Sequence, residues 1–372
     1  MRELVVFSHL RWTFVWQRPQ HVISRLARDR RTWFVEEPLP TDVPEPVLCT
    51  EDHGPVTRVW LEIPRTKAHV GFGGAEAARY EAALPGLLGD PEGRIAWLYT
   101  PMALNLAQSI EHDLLVYDVM DDLASFKYAA PGVRFTQRQS LRLADVVFTG
   151  GRSLQQSVAG IRPDAHLFAS GVEPEHYAVD RPPRPQGALP VAGYVGVIDE
   201  RIDLELVDGL AMALPGWEIL MVGPVAKIDR ETLPQRNNIM YPGAQPYERL
   251  PHMLAGFDVA LMPFALNEST RSISPTKTLE YLAAGLPVVS TRIPDVVADH
   301  GSVVALADDA QGFAVECVAA LRSDAAPLRG HVDALLRSHH WDAIVARMET
   351  ILSESAAERG AGEPLARRQD AG

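Results

Sequence analysis

Twice along this chain, short apolar runs alternate with helical patterns, and that repetition limits the possible folds more than any other feature. In the first half, residues 4–7, 33–35, 59–63, 95–99, 114–117 and 146–149 read as buried strands. Helical candidates lie between several of them, at 20–28, 74–84, 101–108 and 136–143. Strands that alternate with helices in this way predict an α/β fold built on a doubly wound, mainly parallel sheet. The texture breaks at residues 180–187, where Pro182, Pro183, Pro185 and Gly187 predict a linker. Strand-like runs then resume at 191–197, 217–222, 239–241, 259–262, 288–290 and 303–306. An amphipathic helix over 342–353 and a polar tail, expected to be disordered, close the chain.

The expected organisation is therefore one Rossmann-like domain over 1–182 and a second over 188–340. A C-terminal helix at 341–354, crossing back to the first domain, and a tail at 355–372 complete it. Open α/β sheets bind ligands at the carboxyl ends of their strands, so two such domains should face an interdomain cleft. Fold alone leaves transferases, epimerases and sugar-binding proteins open.

Composition removes other classes. The net charge of −13 excludes non-specific nucleic-acid binding through a global positive field. Cys49 and Cys317 are far apart, with no CxxC or histidine partner pattern, and read as reduced core thiols. The first residues read as a strand rather than a signal peptide. No run approaches about 18 consecutive apolar residues, so the expected location is cytoplasmic.

The richest local pattern is Ser274-Pro275-Thr276-Lys277-Thr278-Leu279-Glu280-Tyr281-Leu282-Ala283-Ala284-Gly285-Leu286-Pro287-Val288-Val289. Ser274 suits an N-cap and Pro275 the first helical turn, which predicts a helix that stops at Gly-Leu-Pro before a strand. Lys277 and Glu280, three apart, then share one face near the helix N-terminus, where the backbone itself favours an anion. The plain alternative is a capped surface helix with one ion pair.

This stretch resembles the nucleotide-sugar-binding segment of GT-B glycosyltransferases, above all the retaining family 4 (glycosyl transferases group 1). The resemblance implies that Glu280 holds the ribose hydroxyls of a nucleotide-sugar donor and that Lys277 lies by its diphosphate. Ser272, Ser274, Pro275 and Thr276 would line the same site. The family commonly has a second glutamate eight positions before the first, where this chain has Ser272. The run Gly193-Tyr194-Val195-Gly196-Val197-Ile198-Asp199-Glu200-Arg201 is similar to the family's first C-domain strand and loop. It suggests Gly196 as a donor-site residue and Arg201, with Lys277, as the catalytic cations on the leaving diphosphate.

In the first half, Ser8-His9-Leu10-Arg11-Trp12-Thr13-Phe14-Val15-Trp16-Gln17-Arg18-Pro19-Gln20-His21 follows the first strand. It resembles a segment of bacterial enzymes related to teichuronic acid biosynthesis glycosyltransferases. His9, Trp12, Trp16, Arg18 and His21 are accordingly the expected acceptor-side residues, with aromatic rings as a stacking wall and Arg18 on phosphate. Asp118, in the carboxylate cluster at 118–122, is expected on an acceptor hydroxyl, with capping of the next helix as an equal alternative. Burial of Phe14 in the core is an even alternative. Residues 1–31 contain seven arginines against Glu3 and Asp29, a local balance of +5. That excess suggests a surface for an anionic acceptor or for peripheral contact with the inner membrane face; a solvated helix face is the simpler alternative.

Carboxylates cluster at residues 118–122, but the resemblance implies metal-independent chemistry, so neither metal nor other cofactor is expected. Gly71-Phe72-Gly73 begins like a dinucleotide fingerprint, yet Glu76 stands where the third glycine belongs. Together these residues predict a glycosyltransferase that moves a sugar from a nucleotide diphosphate to a glycan, lipid-linked or small-molecule acceptor hydroxyl, in cell-surface polysaccharide or glycoconjugate synthesis. A GT-B sugar-nucleotide epimerase and a non-catalytic sugar-nucleotide-binding or scaffold protein are the rival readings.

Overall fold

The computed structural model describes residues 2–65, 71–73, 77–90, 92–126, 129–178, 180, 185–273, 276–322 and 326–361. The chain divides into two compact units. One comprises Met1–Gly150, Leu154–Phe168 and the C-terminal helix from Asp342; the other comprises Gly151–Ser153 and Ala169–Trp341.

The first unit is a nine-stranded sheet. Its strands are β1 (Glu3–Ser8), β2 (Arg31–Glu36), β3 (Leu39–Thr41), β4 (Val47–His53), β5 (Val56–Pro64), β6 (Arg94–Leu98), β7 (Leu114–Val119), β8 (Val146–Thr149) and β9 (His166–Leu167). The order is β3-β5-β2-β1-β6-β7-β8-β9, parallel throughout, with β4 antiparallel on β5. Every residue of β1, β6, β7 and β8 is buried, because helices on both faces of a parallel sheet leave no solvent side. The β4–β5 hairpin lies outside the sequence expectation. Its β4 strand opens with the short apolar run Val47-Leu48-Cys49 but then carries Thr50, Glu51 and Asp52 in the open.

The second unit is a six-stranded parallel sheet: β10 (Val191–Val195), β11 (Glu218–Val222), β12 (Ile239–Gly243), β13 (Val259–Met262), β14 (Val288–Ser290) and β15 (Ala305–Leu306). Its order is β12-β11-β10-β13-β14-β15. The division between the units falls before the expected linker, of which residues 181–184 lie outside the described residues. Residues 171–177 belong to the second unit for a packing reason. Val172 bridges to His340, Tyr177 is buried in that unit's core, and the Tyr247 hydroxyl donates to Glu173 at 3.0 Å.

The last helix, Trp341–Ala361, is also longer than expected. Trp341, Ile344, Val345, Met348 and Leu352 form its buried stripe. Residues 355–361, expected as disordered tail, are helical instead. Arg359 fastens this last part by bonding the Asp113 carbonyl and the Asp145 carboxylate. Among the described residues, no helix is long and apolar enough to cross a membrane.

Candidate functional site

In each sheet the strand order reverses beside the first strand. β1 has β2 on one side and β6 on the other; β10 has β11 and β13. The carboxyl ends of β1 and β10 are therefore the topological switch points, where open α/β sheets hold ligands.

In the second unit this end is built from close backbone approach. Gly196 N–H donates to the Val222 carbonyl at 2.8 Å, and Ile198 N–H to Pro224 at 2.9 Å. A Cβ on Gly223 would lie 1.8 Å from the Gly196 carbonyl oxygen, so only glycine fits between these loops. A Cβ on Gly196 would lie 2.1 Å from Cε and 2.9 Å from Nζ of Lys277. The bare face of Gly196 is thus the seat of the lysine.

Lys277 opens the helix Lys277–Ala283, with Thr276 at its N-cap and Thr276 carbonyl accepting from Leu279 and Glu280 at 3.0 and 3.2 Å. The expected cap, Ser274, and Pro275 lie outside the described residues. The helix ends as its sequence predicts: Gly285 at φ +70° lets Gly285 N–H reach Leu282 and Leu286 N–H reach Tyr281, both at 3.0 Å. At seven residues the helix contributes only a modest dipole, so the positive charge here comes from side chains.

Those charges balance closely. Arg201 is forked onto Asp199, with Nε at 3.0 and 3.1 Å and Nη2 at 2.7 Å from the carboxylate oxygens. Asp199 is buried, while the arginine side chain keeps 26% of its surface. The carboxylate fixes the guanidinium without covering it. Lys277 is half-buried, and loss of water pushes its pKa down; Glu280 opposes that shift, and Arg201 adds to it. Burial pushes the Glu280 carboxyl up, against the pull of Lys277 and the Tyr177 hydroxyl. Tyr177 is buried beside Glu280 and Tyr247. His176 stacks on Tyr247 with ring centroids 4.0 Å apart, extending the same wall.

The structure therefore gathers Gly196, Arg201, Lys277 and Glu280 at one strand end. Ser272 and Thr276 are half-buried in the approach to the same helix. Asp199, Gly223 and Tyr177 belong to this group and escaped the sequence reading. The only hint of Tyr177 was an aromatic just before the proline-rich stretch.

The acceptor-side expectations fare differently. Arg18 is 2% exposed and Asp118 fully buried; Nε and Nη2 of Arg18 meet the carboxylate at 3.0–3.2 and 2.9 Å, and Nη1 donates to the Phe168 carbonyl at 2.7 Å. Neither group is available to a phosphate or an acceptor hydroxyl, so both expected roles are corrected to a structural one. Trp12 is 6% exposed and packs edge-on against Phe34 and Trp16, which corrects its place in a stacking wall. The Trp12 backbone N–H donates to the Glu36 carboxylate at 2.8 Å. His21 is buried, accepting from Trp16 Nε1 at 3.2 Å, and is likewise closed to ligands. His9 is half-buried, Trp16 keeps partial exposure, and Phe14 stands in solvent rather than in the core.

Six of the seven arginines in the basic stretch 1–31 meet a carboxylate, Arg18 among them, while Arg31 lies over the Trp33 ring, 4.5 Å from its centroid. Arg2 meets Glu92 at 3.9 Å, Arg11 meets Glu36 at 3.1 Å, Arg28 meets Asp342 at 3.7 Å, Arg25 also pairs with Asp342, and Arg30 with Glu349. Its local +5 is not a free cationic surface. Among the described residues, no group of three or more His, Cys, Asp or Glu could hold a metal ion.

Residues 190–323 match the family model for Glycosyl transferases group 1. Over 151 residues the chain is 26% identical to TuaH of Bacillus subtilis (strain 168), assigned to teichuronic acid biosynthesis as a glycosyltransferase. That match covers 38% of this chain and 38% of the relative, well under half of either. Sucrose-phosphate synthase from Thermosynechococcus elongatus superposes with a TM-score of 0.68 at 15% identity, covering 96% of this chain and 100% of that one. Anabaena HepE, solved with UDP and glucose, gives 0.67 at 14% identity, covering 95% and 100%. At such identities the structural likeness establishes the fold alone. The chain has the GT-B fold, and its residues 190–323 match the glycosyl transferases group 1 family model.

Proposed function

We propose that the protein transfers a sugar from a nucleoside diphosphate donor to an acceptor hydroxyl, with retention of anomeric configuration, in polysaccharide or glycoconjugate synthesis. The observation that carries the proposal is the Lys277 ammonium seated on Gly196, with the Arg201 guanidinium beside it and Glu280 one helical turn on. Two cations at one strand end suit a diphosphate, and a carboxylate at this distance suits a cis-diol. HepE, with UDP bound, makes uridine the first base to test.

In the reaction the bond from the anomeric carbon to the diphosphate oxygen breaks while a bond to the acceptor oxygen forms. Negative charge grows on the departing diphosphate, and Lys277 and Arg201 stabilise it most where it is greatest, in the transition state. Asp199 keeps Arg201 oriented, so little reorganisation is needed at that moment. Of the acceptor-side residues, His9 and Trp16 retain the exposure that contact with an acceptor requires.

The test is product analysis with UDP-sugars, with and without candidate acceptors. Acceptor-dependent release of UDP and a glycosylated product would support transfer. Release of UDP from donor alone, with an isomerised sugar, would point to epimerisation. Donor binding without turnover under any acceptor would favour the scaffold reading.

A further inference from the structure

The helix Val133–Leu143 gathers positive charge in this acidic protein. Its sequence, VRFTQRQSLRL, has three arginines and no acid, in a chain of net charge −13. Arg134, Arg138 and Arg142 follow one another at steps of four, so they line one side of the helix. All three are exposed, and among the described residues none forms a salt bridge or side-chain hydrogen bond. This is the reverse of residues 1–31, where six of the seven arginines meet Glu or Asp.

The same outward face carries Phe135, 66% exposed, and Leu143, 48% exposed. Phe135 sits within one turn of Arg138 and two turns of Arg142. Val133, Ser140 and Leu141 are buried and anchor the opposite side to the unit. At eleven residues the helix is about 16 Å long, enough to lie flat on a surface.

We infer that this helix docks the protein on an anionic lipid bilayer. The arginines would approach the headgroups, and Phe135 and Leu143 would enter the headgroup–acyl boundary. This is the division of labour that holds amphipathic helices at interfaces. A soluble polyanion would answer the arginines but give Phe135 and Leu143 nothing to bury in, so the pairing of both features favours lipid. The inference concerns the first unit and stands apart from the donor site. It adds to the proposed transfer reaction that the acceptor is met at a membrane surface.

The experiment is co-sedimentation of the full chain with vesicles of equimolar phosphatidylglycerol and phosphatidylcholine, and with pure phosphatidylcholine, at low and physiological salt. The expected result is salt-sensitive binding to the anionic vesicles only. Arg138→Glu should weaken it by at least about fivefold, the factor one cation contributes near such a surface. Phe135→Ser should weaken it as well, with thermal midpoint and UDP titration unchanged in both variants. Equal behaviour with both lipids, or variants that bind like wild type, would overturn the inference. So would binding of heparin that matches vesicle binding and is indifferent to Phe135→Ser, because the site would then be one for soluble polyanions. Loss of UDP binding in wild type would bear on the donor site alone.

Discussion

The two switch points present the same topology with opposite use of charge. After β1, the cation Arg18 is sunk beneath the surface and forked onto Asp118, with the Phe168 carbonyl taking a further donor. After β10, Arg201 is forked in the same manner onto Asp199, but a quarter of its side chain faces outward and Lys277 lies half-buried beside it. A bidentate arginine–aspartate pair is thus a brace in one unit and a mount in the other. Exposure of the cation, not the presence of the pair, is what differs between the two units.

The sharpest way to break this comparison is to cut the buried brace. Asp118→Ala leaves Arg18 charged and unpaired in the interior, and should cost about 3–5 kcal/mol of stability. Urea unfolding followed by circular dichroism would read it, and an unchanged midpoint would mean the pair is not needed for the fold. The double replacement Arg18→Met with Asp118→Leu should cost much less, because no buried charge remains.

In the second unit the expected loss is in rate rather than stability. Lys277→Ala should lower turnover by about 10²–10³-fold, the effect of removing one preorganised stabilising group. Its thermal midpoint should stay close to wild type. A variant that unfolds instead would make Lys277 structural, like Arg18.

Gly196→Ala asks whether the seat matters. Its Cβ would displace Lys277, and such overpacking costs about 1–3 kcal/mol. Weaker nucleoside diphosphate binding with the fold retained is the expected outcome; wild-type affinity would show that the lysine can sit elsewhere.

The subtlest effect is in pH. Burial lowers the Lys277 pKa, so the protonated, useful form is lost at a lower pH than for an ordinary lysine. Turnover should therefore fall on an alkaline limb below 10.5, the ordinary value. Lys277→Arg, which does not titrate there, should move that limb upward. A limb that stays in place would assign it to another group.

Much of the fold was legible because buried parallel strands read as unbroken apolar runs. β1, β7 and β13 are plain in the sequence for that reason, whereas β4, polar after its first three residues, was missed. The grouping at the end of β10 was legible through local patterns: Gly196 in its strand-loop, and Lys277 and Glu280 on one short helix. What closed or completed the sites was not local. Arg18 and Asp118 are a hundred positions apart, so nothing in sequence warned that each would consume the other. Tyr177 reaches Glu280 from across the proline-rich stretch, and Gly223 matters only because β11 ends against Gly196. The arginine excess in residues 1–31 misled for the same reason, because its acids lie at Glu36, Asp342 and Glu349.

The most direct measurement is calorimetric titration of UDP, GDP, ADP and dTDP into wild type and Glu280→Ala. The account predicts selective binding of one nucleotide by wild type, and its loss in the variant with the fold intact. Absence of binding to all four, or undiminished binding by Glu280→Ala, would contradict a donor site at the end of β10.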